Sequence, residues 1–275
     1  MSRLGKKNDL EEVVTLIANS PKYRIRDICE DTIRDLLQEE LKHHKRLKDA
    51  VKSARKKLHE IVAPYLGDPN YAWALQVLEE SFSTRLVEET RKVCAQIMSM
   101  HASTRERLPH LGSFYSQIFE LTGKPSEIID LACGLNPLSF LWMDLPCKTS
   151  YRAYDLNHSR VKFLNQYFAL QGVNGVAVWQ DILVQKPQEP ADVAFIFKEA
   201  YRFEKRKRGS TLALMQSLKV KYAVISLPLR NLSGKGGIGK YQRRFLDRLF
   251  KYGNWPTREM EISDELIFCV DVGQC

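Results

Sequence analysis

Six cysteines, at positions 29, 94, 133, 147, 269 and 275, form no C-x-x-C pair, and no histidine stands at zinc-finger spacing from them. That excludes a zinc ribbon and predicts reduced thiols with no resident metal. No apolar run reaches about 18 residues, the length that spans a bilayer, and Met1-Ser2-Arg3-Leu4-Gly5-Lys6-Lys7 carries no signal-peptide apolar region. The expectation is a cytoplasmic protein without a membrane partner. A G-x-G-x-x-G fingerprint is missing, because Ala132 and Asn136 stand where glycines would, which argues against a dinucleotide pyrophosphate cradle. The loop Gly234 to Lys240 approaches a P-loop, but Tyr241 replaces the hydroxyl residue that would bind magnesium. Acid is scarce in one region: from Ala200 to Tyr252 fourteen Lys or Arg face only Glu204 and Asp247.

What is present is a basic, core-forming chain. Its 275 residues carry a net charge of +9, and 44% are hydrophobic, so a sizeable core is available and a polyanionic partner is indicated. Residues 1–105 read as a small all-α unit. Asp9–Asn19, a helix opening at Asp31-Thr32, Lys48–Val62, an Asn70-capped helix and Ser83–Met100 all place apolar residues at helical spacing. Lys42-His43-His44-Lys45-Arg46 and Arg55-Lys56-Lys57 form basic faces, which equally suit solvent and RNA. Ser103 or Thr104 is placed to cap a helix that continues past Pro109 to Phe119, with Arg107 in its first turn against the dipole.

From residue 106 to 275 strands and helices alternate. Strand candidates are Glu127–Leu131, Tyr151–Tyr154, Ala177–Gln180, Val193–Phe197, Tyr222–Leu227 and Leu266–Val270, with helices at Asn157–Gln171, Tyr201–Ser217 and Lys240–Phe250. This pattern predicts a doubly wound α/β sheet of Rossmann-like type. Ligands then sit at the strands' carboxyl ends, where Asp130, Asp155, Asp181 and Lys198 fall. In Ile128-Ile129-Asp130-Leu131-Ala132-Cys133-Gly134-Leu135-Asn136-Pro137 an apolar strand runs into a tight, small-residue turn that lets backbone approach a ligand. Cys133 reads as a small packed residue, since no base partner for it is evident. Asp155, about 20 residues on, suits a carboxylate gripping ribose hydroxyls. Asp181 is open to accepting from an exocyclic amine or to capping a turn, and Lys198 to contacting a phosphate or base or to snorkelling.

Taken together, His101-Ala-Ser-Thr-Arg-Glu-Arg107, Asp130-Leu-Ala-Cys-Gly-Leu-Asn-Pro-Leu138, Asp155, Gln180-Asp-Ile-Leu183, Ile196-Phe-Lys198, Met215-Gln-Ser-Leu218 and Ser226-Leu-Pro228 resemble the 16S rRNA (guanine-N7) methyltransferases that confer aminoglycoside resistance. The likeness runs from about Lys22 to Leu266. It implies an S-adenosylmethionine (SAM)-dependent methyltransferase domain over 106–275, a helical ribosome-binding unit over 1–105, and methylation of a decoding-site guanine on the 30S subunit by a monomer. On this resemblance the cofactor contacts are His101, Arg107 on the methionine carboxylate, Asp130, the turn Ala132-Cys133-Gly134, Asp155 and Leu156 at the ribose, Asp181 and Ile182 at the adenine, and Phe197. Lys198 is implied on the target-nucleotide side as the catalytic-site lysine. RNA contacts are implied at Lys45, Arg46, Arg55, Lys56, Lys205, Arg206, Lys207, Arg208, Arg230, Lys235 and Lys240. The likeness lapses after Lys198, where Glu199-Ala200-Tyr201-Arg202 leads into the basic run 205–208, and beyond Gly239, at Lys240-Tyr241-Gln242-Arg243-Arg244.

Two rivals are an RNA-binding protein that keeps this fold without turnover and a small-molecule methyltransferase. On the sequence alone, Asp155→Ala is expected to weaken SAM binding with little loss of stability. Binding to 30S subunits is expected to fall linearly and steeply as log salt rises, because phosphate contacts release counterions. A flat dependence in filter-binding titrations would favour a small-molecule substrate.

Overall fold

The computed structural model describes residues 3–20, 27–62, 68–229 and 239–273. Three helices come first: α1 (Arg3–Ala18), α2 (Glu30–His43) and α3 (Leu47–Val62). Val14 and Ile17, then Ile33, Leu36 and Leu37, then Ala50, Ala54 and Leu58, at helical spacing, close an apolar core of their own. Acids open α2 (Glu30, Asp31) and bases end it (Lys42, His43), in line with its dipole. Its buried Glu40 takes the Lys57 ammonium of α3 at 2.5 Å.

α4 (Tyr71–Ser83) starts where the Asn70 side chain accepts from the backbone N–H of Ala72 and Trp73. α5 (Val87–Ser99) follows it. Ala74, Leu78, Cys94, Ile97 and Met98 from these two helices join the core that covers one sheet face, beside Tyr115, Tyr151 and Phe168. The apolar cores therefore divide between α3 and α4, whereas the sequence reading divides the chain at residue 105.

Seven strands form one sheet in the order β3-β2-β1-β4-β5-β7-β6. They are β1 (Glu127–Leu131), β2 (Ser150–Asp155), β3 (Gly175–Trp179), β4 (Pro190–Phe197), β5 (Lys219–Pro228), β6 (Thr257–Ile262) and β7 (Glu265–Asp271). The first five run parallel, and β7 pairs antiparallel with β5 and β6. In β4, Val193, Phe195 and Phe197 pack on one face and Ala194 and Ile196 on the other. Burial on both faces explains why these strands read as continuous apolar runs. The order reverses between β1 and β4, so their carboxyl ends flank the crevice where a ligand of such a sheet lies.

Four expectations are corrected. The helix expected over Ser83–Met100 is α5, but it starts only at Val87, because α4 runs on to Ser83 and Arg85 turns left-handed at φ 56 between the two. The helix expected from Ser103 to Phe119 divides into α6 (Ala102–Arg105), a 3-10 turn carrying Pro109, and α7 (Leu111–Thr122). His101 stands at the α6 N-cap position, and the Thr104 hydroxyl donates back to the carbonyl of Met98. After α8 (His158–Gln171), the helix expected over Tyr201–Ser217 splits into α9 (Ala200–Arg206) and α10 (Ser210–Met215). There Gly209 adopts φ 82 and its N–H donates to Glu204. Finally, β6 was not expected: it is an exposed edge strand, Thr-Arg-Glu-Met-Glu-Ile, without an apolar run. The last helix is α11 (Gly239–Gly253).

Leu37→Ala, at a fully buried position of the α1–α3 core, is expected to cost about 2–5 kcal/mol in urea unfolding. A loss below about 1 kcal/mol would show that this core is not packed as described.

Candidate functional site

A cavity of about 1050 Å³ opens at the carboxyl ends of β1, β2 and β4. Its inner part is shaped by the turn after β1. Ala132 (φ 55) and Gly134 (φ 55) are both left-handed there, which reverses the chain at once after the strand. A Cβ on Gly134 would stand 3.0 Å from Cε1 of His101, so any larger residue there would be strained in backbone and crowded against the imidazole. Burial lowers the His101 pKa to about 4, leaving a neutral ring whose Nδ1 lies 3.0 Å from the Ser103 hydroxyl.

Below the turn lies a buried polar network. Asp130 accepts from the Asn136 amide at 2.9 Å and from the Tyr151 hydroxyl at 2.7 Å. Burial raises its pKa to about 6 against the pull of these donors. The Asn136 carbonyl in turn accepts from Arg107 at 2.8 Å and from the Tyr115 hydroxyl at 2.8 Å. Arg107 completes its fork on Glu265, at 3.2 and 2.9 Å, and lies against the rings of Phe114 and Phe197, 4.4 Å from each ring centre. Although burial alone would raise the Glu265 pKa, Arg107 and Lys198 hold it below the ordinary value.

Two acids flank the cavity. Asp155, ending β2, accepts from the Gly134 N–H at 3.0 Å, the Asn157 N–H at 2.8 Å and Arg160 at 2.8 Å. Arg160 also meets Asp68 at 2.5 Å and the Tyr71 hydroxyl at 3.2 Å. Asp181 accepts from the Leu183 N–H, so it caps its turn, and also takes the Thr32 hydroxyl of α2 at 2.7 Å and Arg206 of α9 at 2.7 Å. Arg206 reaches on to Asp35 at 2.9 Å. The helical unit is thus docked on the sheet by charge, and residues 57 and 59–62 of α3 form a wall of the cavity.

Of the residues singled out in the sequence, His101, Ala132, Gly134, Asp155, Leu156, Asp181, Ile182 and Phe197 are brought together as cavity lining, and Lys205 and Arg206 reach its outer part. Arg107 and Asp130 lie outside the lining, in the network beneath, and Arg107 already holds an internal carboxylate. Cys133 packs into the core, where burial pushes its thiol well above the usual value, away from thiolate chemistry. Lys198 does not face the cavity. Its φ of 64 turns it away, and its ammonium sits 2.5 Å from Glu106 and 3.2 Å from Glu265. Arg206, expected to meet RNA, is turned inward to Asp181 and Asp35, its side chain 7% exposed. Lys45, Arg46, Arg55, Lys56, Lys205, Lys207, Arg208 and Lys240 are exposed, while Arg230 and Lys235 lie outside the described residues. Sequence reasoning missed Glu265, Arg160, Asn136 and Glu199. Glu199 lines the cavity and is 8% exposed, and burial, only partly offset by Arg202, raises its pKa to about 7.

Two outcomes are expected. Because Asp155 and Arg160 are buried partners, Asp155→Ala should cost on the order of 3 kcal/mol in urea unfolding, contrary to the small loss expected from sequence; an unchanged midpoint would refute the pairing. For Glu199, the raised pKa means that stability from its neutral form is complete below pH 4.5 and is lost as pH rises through about 7. Glu199→Gln should remove that decline, so identical stability–pH curves for the two proteins would contradict a buried, neutral carboxyl.

The ribosomal RNA methyltransferase (FmrO) family profile matches residues 19–269. A 16S rRNA (guanine(1405)-N(7))-methyltransferase of Micromonospora echinospora is 31% identical, with 98% of this chain and 99% of that one covered. An enzyme of the same name from Micromonospora rosea is 33% identical over 81% of this chain and 82% of its own length. Among solved structures, the 16S rRNA methylase RmtB superposes with a TM-score of 0.76 at 29% identity, covering 95% of this chain and 98% of that one. The 16S rRNA methyltransferase RmtF in complex with S-adenosyl-L-homocysteine gives 0.76 at 28% identity, covering 95% and 97%. A small-residue turn at the switch point, an acid at the end of β2, and a family match that spans both the helical unit and the sheet converge: this chain belongs to the ribosomal RNA methyltransferase (FmrO) family.

Proposed function

We propose that this protein transfers the methyl group of SAM to N7 of guanine 1405 of 16S rRNA, the reaction named for its relatives, acting on the assembled 30S subunit as a cytoplasmic monomer and thereby conferring aminoglycoside resistance. The observation that carries the reading is the cavity at the carboxyl ends of β1, β2 and β4, in a chain whose relatives match it over nearly its whole length.

The lining suits SAM. The left-handed turn at 132–134 lets backbone approach the methionine part, Asp155 and Leu156 border the ribose, and Ile182 beside Asp181 offers the adenine an apolar surface with a carboxylate at its edge. His101, being neutral, adds no charge to repel a sulfonium. Arg107 stands beneath the turn with its charge matched by Glu265; to hold the methionine carboxylate, its guanidinium would be shared between Glu265 and the ligand. Lys198 acts at one remove, fixing Glu106 and the 103–106 segment to the end of β4.

When bound, SAM supplies an electrophilic methyl on a sulfonium. Guanine N7 carries a lone pair and no proton, so the protein needs no general base, and its work is alignment and exclusion of water. A guanine in folded rRNA must leave its stack to reach a cavity of this depth. The exposed Lys45, Arg46, Arg55 and Lys56 on the helical unit and Lys205, Lys207, Arg208 and Lys240 on the sheet side are placed to hold phosphates around it.

Labelled SAM is expected to methylate purified 30S subunits, with borohydride/aniline cleavage mapping the modification to guanine 1405. Incorporation mapping to another nucleotide would overturn the assignment of the target. SAM binding without incorporation would favour an RNA-binding role.

A further inference from the structure

The cavity stands at the upper end of the single-ligand range and extends well past the turn that shapes its inner part. Single-ligand pockets run to about 300–1,000 Å³, and this one reaches about 1050 Å³. Beyond the turn and Asp155, its lining continues past Phe197 to Glu199, Tyr201 and Arg202 on one side, and to His59 and Glu60 of α3 on the other. The chain leaves β4 so that Phe197 and Glu199 face the space while Lys198, at φ 64, turns away. Glu199 is thereby fixed at the strand end, with a side chain only 10% exposed. Among the described residues its carboxylate has one charged neighbour, the Arg202 Nε at 3.4 Å on the same helical turn. An acid so placed, within a cavity and short of donors, has acceptor capacity left for a ligand.

Resting on the reading that the substrate is a guanine extruded into this cavity, we propose that Glu199, ionised when the base is bound, receives the base's Watson–Crick edge, its carboxylate accepting from N1–H and from the N2 amino group together. The chemistry is selective. Guanine presents two parallel donors on that edge, which a carboxylate matches with two acceptors, whereas adenine presents an acceptor at N1. The geometry is also productive, because N7 lies on the opposite side of the purine from N1 and N2. A base held by that edge at Glu199 points N7 inward, towards the turn at 132–134. Tyr201, beside Glu199 in the lining, supplies apolar surface for a purine face, and Phe197, whose ring already packs on Phe195 and Arg107, adds an apolar edge. Arg202 spans Glu199 and the carbonyls of Glu60 and Ile61 at the end of α3, so the helical unit helps to hold the carboxylate in place.

The test crosses an enzyme substitution with a substrate substitution. Wild type, Glu199→Leu and Glu199→Gln are assayed on 30S subunits reconstituted with either guanosine or inosine at the target position, inosine lacking only the N2 amino group. For wild type, kcat/KM is expected to fall about 10- to 100-fold on inosine, the effect of one charge-assisted hydrogen bond. Glu199→Leu should lose at least as much on guanosine and show no further loss on inosine, since the partner of the missing group is already gone. Glu199→Gln, which keeps one acceptor of the same reach, should fall between them. Calorimetric affinity for S-adenosylhomocysteine should be unchanged in both variants, which separates recognition of the base from damage to the fold or the cofactor site. An inosine penalty equal in wild type and Glu199→Leu would overturn the inference while leaving the proposed reaction intact. Failure of wild type to methylate guanosine subunits at all would instead remove the reading on which it rests.

Discussion

The structure depends most on one buried arrangement, the line of polar contacts from Asp130 through Asn136 and Arg107 to Glu265. Each link is hydrogen bonded, and each end is anchored in a strand, Asp130 in β1 and Glu265 in β7. Buried charges of this kind persist only when every partner is satisfied. The line runs directly beneath the turn that follows β1 and ties its far side, at Asn136, to the opposite part of the sheet. Without that tie, two left-handed residues in three, one of them alanine, would lack a reason to hold their conformation. Lys198 repeats the device at the end of β4, where a positive φ and an ion pair with Glu265 send its side chain into the same network. The two strand ends that border the switch point are thus shaped by one set of charges, and the cavity is what they leave between them.

A second set of charges joins the helical unit to that cavity. Asp181, at the end of β3, gathers Thr32 from α2 and Arg206 from α9, and Arg206 returns to Asp35 on α2. On the other side Arg160 links Asp155 to Asp68 and Tyr71, at the junction where α3 gives way to α4. The core of α1–α3 is separate from the sheet's cores, so this docking rests on ion pairs and hydrogen bonds and hardly on shared apolar packing. A unit attached in that way, with one of its helices forming a wall of the pocket, connects what it binds on its basic surface with the shape of the site.

The sheet was legible because its evidence is local. Both-face burial makes β1, β4 and β5 read as apolar runs, and the turn after β1 declares itself by small residues and Asn-Pro. Strand β6 was not legible, since an edge strand facing solvent needs no apolar alternation and Thr257–Ile262 carries three charges in six residues. Helices α9 and α10 look like one in sequence because a single glycine at φ 82, not a proline, separates them. The site divided in the same manner. Gly134, Asp155 and Ile182 could be placed from strand ends and spacing, and His101 only through the family resemblance, yet the true positions of Arg107, Lys198 and Arg206 were set by partners 158, 67 and 25 residues away in the chain (Glu265, Glu265 and Asp181). Charge pairing across such separations leaves no periodic trace. Basic runs read as exposed by default, and Arg206 shows how one member of such a run is drawn inward while its neighbours stay in solvent.

The central claim is that the cofactor end of the cavity is held in shape by a network that does not line it. Asn136 is the member that isolates this claim, for it joins Asp130 to Arg107 and lies outside the cavity lining. The most direct measurement is calorimetric titration of S-adenosylhomocysteine into wild type and into Asn136→Ala, with circular dichroism confirming that the variant is folded. The account predicts a fall in affinity of about tenfold or more, the size of effect that loss of a hydrogen-bonded support for a binding turn produces. Unchanged affinity in a folded Asn136→Ala protein would contradict it.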